Sequence, residues 1–266
     1  MRKIIFICLA IIATLPTFAQ KTKKEKKEER KQRVNELIKQ EEEGVITYHK
    51  HTAFGIQLVS DGYGAFLEVG RARSIRKALL FQLNISERKH PKEEKQTNIA
   101  IPTSPFIFGK INYFYPVKLG VQQQILLGNK TNRNGVSVTG NIGGGISVGL
   151  LRPYLLEVND IINGNRKYIR YESADSSLFV SPGDLQSLQV SGSGLGKGWG
   201  NMSVTPGAYA KLGIRFDYGK YNEMLNALEV GIGAEIYTKK VPQIVYVNPK
   251  QFFFNAYVAI MFGKRK

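Results

Sequence analysis

The strongest constraint on this chain is an alternation of apolar and polar residues, period two, that recurs along most of its length. Leu79, Phe81, Leu83 and Ile85 alternate with Leu80, Gln82, Asn84 and Ser86. Leu212, Ile214 and Phe216 alternate with Lys211, Gly213, Arg215 and Asp217. Leu228, Val230, Ile232, Ala234 and Ile236 alternate with Glu229, Gly231, Gly233, Glu235 and Tyr237. Successive side chains of an extended strand point to opposite faces, so each segment gains one apolar face and one face carrying charge or glycine. Eight such segments, at about 53–60, 63–71, 78–89, 112–127, 136–150, 204–217, 227–239 and 251–263, are predicted to be strands. A membrane-crossing helix needs about 20 consecutive apolar residues, and none of these segments supplies them.

The N-terminal end has a different character. Arg2 and Lys3 precede the apolar run Ile4–Ala13, and Leu15-Pro16 and Thr17-Phe18-Ala19 follow it. That order, basic, apolar, helix break, small residues, predicts a cleavable export signal over 1–19. Cys8, the one cysteine, lies inside the apolar run, so the exported chain has no disulfide and no thiolate chemistry. Gln20–Gly44 holds nine basic residues against seven glutamates, with i,i+3 and i,i+4 pairs that favour a partly helical charged leader. Val34, Leu37 and Ile38 are its apolar strip. The leader is either a solvated spacer or a docking helix for a periplasmic partner.

Strands with one apolar face, in a chain exported across a membrane, satisfy their backbones only if they close into a barrel that crosses a second membrane. The connections agree with this parse. Ala72–Lys77, Gly128–Gly135 and Tyr218–Asn226 are short and fall on one side with both termini. After the tight Asp61-Gly62 turn, the connections at about 90–111, 151–203 and 240–250 are longer and fall on the other side. The expected fold is therefore all-β, an eight-stranded antiparallel transmembrane barrel over 45–266. In the longest connection Asn163-Gly164-Asn165 predicts a hairpin tip, extended by Tyr168, Ile169 and Tyr171.

The segments, the loop asymmetry and the last strand, Phe252-Phe253-Phe254-Asn255-Ala256-Tyr257-Val258-Ala259-Ile260-Met261-Phe262, carry a resemblance. The chain resembles small outer-membrane β-barrel proteins of the Bacteroidetes type, on the plan of OmpA/OmpX-like barrels. The resemblance implies a location in the outer membrane of a Gram-negative bacterium, with both termini periplasmic. It further implies contact with outer-membrane lipids, and a terminal strand read by the barrel-assembly machinery. Gly263-Lys264-Arg265-Lys266 extends this strand beyond its aromatic end. No enzymatic activity follows from the resemblance.

Parity places Glu68, Gln82, Asn84, Lys118, Gln122, Gln124, Lys211, Arg215, Asp217, Glu229 and Glu235 inside the barrel. An eight-stranded barrel is just wide enough for side chains to fill it, and buried charges persist only in pairs. An ion-pair network of Glu68, Lys118, Lys211, Arg215, Asp217, Glu229 and Glu235 is expected, with glycines at 120, 143, 145, 213, 231 and 233 leaving room for Tyr209, Tyr237 and Tyr257. Tyr63, Tyr113, Tyr115, Tyr218, Phe252, Phe254 and Phe262 are expected at the two rims of the apolar band, and Gln123 on its surface. Pro116 suggests a bulge in its strand.

The net charge is +17; the signal carries two of these charges and the leader a net two, leaving +13 on 45–266. An exported chain does not meet nucleic acid, so the excess is expected to face anionic lipid. Arg71, Arg73, Arg76, Lys77, Lys130, Arg133, Lys264, Arg265 and Lys266 cluster on the short-turn side and predict a basic collar there.

Catalytic and cofactor motifs are sparse. Ser191-Gly192-Ser193-Gly194-Leu195-Gly196-Lys197-Gly198 lacks the first glycine and the final hydroxyl of a phosphate-binding loop and reads as a surface loop. His49 and His51 are two ligands without a third and read as solvated residues at a barrel entrance. His90 with Ser86 and Glu87 is the one set from which an interfacial lipid hydrolase could be built. No cofactor or metal is expected. Three readings follow: a non-enzymatic barrel supporting membrane integrity or presenting loops to a partner, a narrow channel for small solutes lined by Lys118, Lys211 and Arg215, or a lipid hydrolase.

Overall fold

The structure, a computed structural model, describes residues 27–32, 35, 49–74, 76–96, 104–129, 135–160, 166–171, 188–194, 196–219 and 224–266. The expected signal, most of the leader, the Asn163-Gly164-Asn165 tip and collar residues Lys130 and Arg133 lie outside the described residues. Within the leader 27–32 is helical and exposed.

In chain order the strands are β1 (Lys50–Val59), β2 (Gly62–Ser74), β3 (Lys77–Arg88), β4 (Lys95–Gln96), β5 (Phe106–Ile107), β6 (Asn112–Gly128) and β7 (Ser137–Pro153). They continue as β8 (Leu156–Asp160), β9 (Arg166–Ile169), β10 (Leu188–Gly192), β11 (Ser203–Asp217), β12 (Met224–Val241) and β13 (Lys250–Arg265). The eight long strands β1, β2, β3, β6, β7, β11, β12 and β13 form one closed antiparallel barrel, each paired with the next in chain order and β13 returning to β1. The closing ladder runs from His51↔Arg265 to Val59↔Tyr257, which leaves the sheet no free edge.

All eight predicted segments coincide with barrel strands, and most of the strands run a few residues longer. The register shifts at Ala72/Ser74, Leu126/Gly128 and Ile236/Val241. The expected bulge at Pro116 is absent. Pairs Ile85↔Val117 and Arg88↔Phe114 keep one register across it, and only the rungs between them are missing. Proline lacks the donor for the β3 side and leaves the β7 side intact, where Pro116 pairs with Gly149.

Burial alternates as the sequence alternates. Along β13, Phe253, Asn255, Tyr257, Ala259 and Met261 are buried inside, while Phe252, Phe254, Val258, Ile260 and Phe262 are exposed outside. The same outward row recurs on every strand, for example Ile56, Leu67, Phe81, Leu119, Ile146, Leu212 and Ile232. From Phe252 to Phe262 there are ten residue steps, about 33 Å of strand at 3.3 Å each. At a tilt of about 40° the apolar row is about 25 Å tall.

At the long-connection end, the loops are built into a cap. β8 pairs with β9 and β10 in a three-stranded sheet of order β10-β8-β9, and β4 pairs with β5. Ile107, Tyr154, Leu156, Val158, Ile169, Val190 and Val245 bury one another there, drawn from three separate connections. Backbone bonds stitch those connections together: Val245 N to Gly109 O at 2.8 Å, Ile111 N to Gln243 O at 2.8 Å and Gly192 N to Ser104 O at 3.3 Å. The stretch containing Ser191 and Gly192, read as a surface loop, is therefore in part a cap strand.

Candidate functional site

The inward face brings the predicted lumen charges into two ion-pair clusters. In the cluster nearer the short turns, Arg215 is 1% exposed and grips Glu68 with both ends of its fork, Nη1 to Oε1 and Nη2 to Oε2, each at 2.7 Å. Its Nε donates to Glu229 Oε2 at 2.8 Å. Glu229 also accepts from Asn141 Nδ2 at 2.8 Å, Tyr257 hydroxyl at 2.8 Å and Lys211 Nζ at 3.1 Å. In the cluster nearer the cap, Glu235 Oε1 accepts from Lys118 at 2.6 Å and Arg88 at 2.5 Å, and its Oε2 from the Tyr237 hydroxyl at 2.7 Å. Arg88 reaches on to Asp61 at 3.1 Å. Between the clusters Gln82 Oε1 accepts from both Gln122 at 2.6 Å and Lys211 at 3.1 Å. Fixed, multiply bonded partners are what allow such charges to be buried at all.

Asp217 stands apart from both clusters. It pairs with Arg265 at the short-turn end and accepts the Gly219 amide at 3.0 Å. Arg265 is thus half-buried against a carboxylate, which corrects its assignment to an exposed collar. The other described collar residues, Arg71, Arg73, Arg76, Lys77, Lys264 and Lys266, are exposed around that end.

Apolar layers close the lumen above and below the charges. Phe114, Tyr237 and Phe253 pack with ring centroids 5.3–5.8 Å apart, joined by Leu151 and Val241, toward the cap. Ala53, Leu225, Ala227, Ala259 and Met261 fill the opposite end. The tyrosines occupy space that glycine concedes. A Cβ at Gly120 would stand 2.4 Å from the Tyr209 hydroxyl, and one at Gly213 would stand 2.5 Å from that of Tyr257.

Among the described residues, Arg88, His51, Asp61, Arg152 and Asn141 take part beyond those that parity was used to place. Arg88 continues the even parity of Gln82, Asn84 and Ser86, so alternation alone would have found it. His51, expected at a solvated entrance, is buried, and its Nε2 lies 3.0 Å from Glu68 Oε1; His49 is exposed. Asp61 sits in a turn, beyond the reach of strand parity. Arg152 has outward parity, yet is covered by Tyr113 and Trp199, with its guanidinium carbon 4.2 and 4.7 Å from their ring centres. Tyr113 and Tyr115, expected only as rim aromatics, join Trp199 in that stack.

The hydrolase constellation is not assembled. Ser86 is buried inside the barrel and its hydroxyl has no hydrogen-bond partner among the described residues. Glu87 accepts the Tyr63 hydroxyl at 2.7 Å, and His90 Nδ1 accepts the Lys92 amide at 3.2 Å. Burial and the nearby Lys250 hold the His90 pKa below its usual 6.5. Glu93 caps the same turn through the His90 amide at 3.1 Å and binds Lys110 Nζ at 2.6 Å. Burial lowers the Lys110 pKa, with Glu93 opposing. Burial likewise raises the Tyr154 hydroxyl to about 12 within the cap core. Among the described residues no cluster of three or more metal-binding side chains occurs.

No protein-family model and no curated protein matches the chain. Solved structures with a similar chain course include Neisserial surface protein A, at 9% identity over 82% of this chain and 97% of that one, TM-score 0.37. Another is Ail, the attachment invasion locus protein of Yersinia pestis, in complex with the heparin analogue sucrose octasulfate. It is 9% identical over 82% of this chain and 99% of that one, TM-score 0.34. The eight-stranded closed barrel stands on its own strand pairing.

Proposed function

We infer that the chain is a non-enzymatic outer-membrane barrel of a Gram-negative bacterium, with a closed lumen and the cap as its working surface. The outward apolar row on all eight strands carries this reading. Soluble monomers rarely expose a contiguous apolar patch beyond a few hundred Å², whereas this row encircles the barrel and matches the ~25 Å apolar height of outer-membrane barrels. The expected export signal and the strand Phe252–Phe262, a candidate for the barrel-assembly machinery, support the same reading. Both termini are then periplasmic and the cap faces outward, where it stabilises the membrane surface or is presented to a partner. A cap with its own apolar core and inter-loop backbone bonds has the rigidity that presentation requires. Protein refolded into lipid vesicles should migrate differently on gels with and without heating, and cysteines placed at Tyr246 should react with an impermeant thiol reagent on intact cells. Reaction only after the outer membrane is opened would reverse the orientation.

The basic residues at the short-turn end, Arg265 apart, support lipid contact at the inner-leaflet phosphates, and the charged leader offers a periplasmic docking segment. A narrow channel is the second reading, favoured by the lysine-lined gap between the two lumen clusters. Planar-bilayer recording separates the two. A closed lumen is silent; conductance steps altered by Lys211→Glu would establish the channel instead.

A further inference from the structure

Inside the barrel, between the two ion-pair clusters, lies a cavity of about 30 Å³. Its wall includes Lys118, Lys211, Tyr209, Asn255, Gln82 and Glu235. Two acceptors on this wall, Glu235 and Gln82, already carry bonds. Glu235 takes Lys118 and Arg88 on one oxygen and Tyr237 on the other, and Gln82 Oε1 takes Gln122 and Lys211. Among the described residues the Tyr209 hydroxyl and Asn255 Nδ2 have no hydrogen-bond partner, in residues only 8% and 5% exposed. Lys118 spends one of its three N–H groups on Glu235, and Lys211 two, on Glu229 and Gln82.

Unpaired buried donors are costly, and a structure that retains several around one cavity calls for an acceptor. Two ammonium groups beside two unpartnered donors favour an anion over a water. A cation would face two ammonium groups. The space is enough for a small anion. We propose that this cavity is a binding site for a single chloride-sized monovalent anion, held by Lys118, Lys211, the Tyr209 hydroxyl and Asn255 Nδ2. Arg88, Lys118, Lys211 and Arg215 are matched in number by Asp61, Glu68, Glu229 and Glu235, so the anion is held by local donors and not by a net charge on the lumen. The site needs only the folded barrel, whichever membrane or partner the protein serves.

The test uses the full exported chain refolded in neutral detergent. Crystals soaked in bromide should show an anomalous peak within hydrogen-bonding distance of Tyr209 and Asn255. The melting temperature should rise with the logarithm of chloride concentration. Above the dissociation constant the slope should be about 3–6 °C per tenfold increase, as linkage predicts for a domain of this size. Gluconate at equal ionic strength, too large to enter, should give a flat line. Tyr209→Phe deletes a hydroxyl that makes no internal bond, so it should keep the gluconate melting temperature and lose most of the chloride slope. Asn255→Asp, which puts a carboxylate in the cavity, should abolish the slope. A featureless bromide map, a non-anomalous water peak in its place, or an unchanged chloride slope in Tyr209→Phe would each overturn the proposal.

Discussion

Replacing Arg215 with leucine should remove about 3–5 kcal/mol of stability, and the structure says which second change restores it. The guanidinium is fully buried and supplies three charge-assisted bonds, two to Glu68 at 2.7 Å and one to Glu229 at 2.8 Å. Deleting one partner of a buried pair strands the other charge, and that stranding accounts for most of the loss. The two carboxylates are stranded unequally. Glu229 keeps Lys211, Tyr257 and Asn141, whereas Glu68 keeps His51 at 3.0 Å. Arg215→Leu with Glu68→Leu should therefore recover most of the stability. Arg215→Leu with Glu229→Leu should recover little, because it also strands Lys211. Urea unfolding in lipid vesicles, followed by the fluorescence of Trp199, the chain's one tryptophan, reads this directly. With a slope of about 2 kcal/mol per molar urea, the midpoint should fall by about 1.5–2.5 M for the single variant. A shift below about 0.5 M, or equal rescue by both leucine partners, would refute the argument that lumen charges are held by mutual pairing.

Gly213→Ala drives a methyl into the Tyr257 hydroxyl and should cost about 1–3 kcal/mol, with part of that loss absent in a Tyr257→Phe background; additive losses in a double-mutant cycle would argue against the close fit. Glutamine at Arg71, Arg73, Arg76 and Lys77 should weaken insertion into anionic vesicles, by up to about 1 kcal/mol per charge, and leave neutral vesicles unaffected; equal insertion into both would reduce these residues to ordinary turn solvation. Because the folded His90 pKa lies below 6.5, the unfolded chain takes up a proton first on acidification. The 90–94 turn should accordingly hold its full stability above about pH 6.5 and lose it as pH falls through that value toward the folded pKa; amide exchange across this range should show it, and His90→Gln should remove the dependence.

Much of the barrel was legible because the signal is local. A strand shows one side chain up and the next down, so Leu79 to Ser86 or Leu228 to Tyr237 declare both the strand and its faces without reference to any other residue. Closure, strand number and the side of each long connection followed from counting. Parity also put Glu68, Lys118, Arg215, Glu229 and Glu235 inside, and would have added Arg88 had it been carried to the end of its segment.

Parity cannot say who meets whom. Glu68 and Arg215 are 147 residues apart, and only the closing β1–β13 ladder and the stagger of the strands around the barrel bring them together. The same closure buried His51, turned Arg265 from collar to partner of Asp217, and left a donor-lined cavity between two balanced clusters. The cap lay furthest from the sequence. Ile107, Tyr154, Val190 and Val245 are short apolar stretches in three separate connections, with no shared period, and each becomes a core residue only when the barrel fixes the roots of all three loops within reach of one another. Local alternation determined the wall; the contents of the barrel and the surface above it were decided by tertiary contacts, because pairing energy depends on distances that no local pattern encodes.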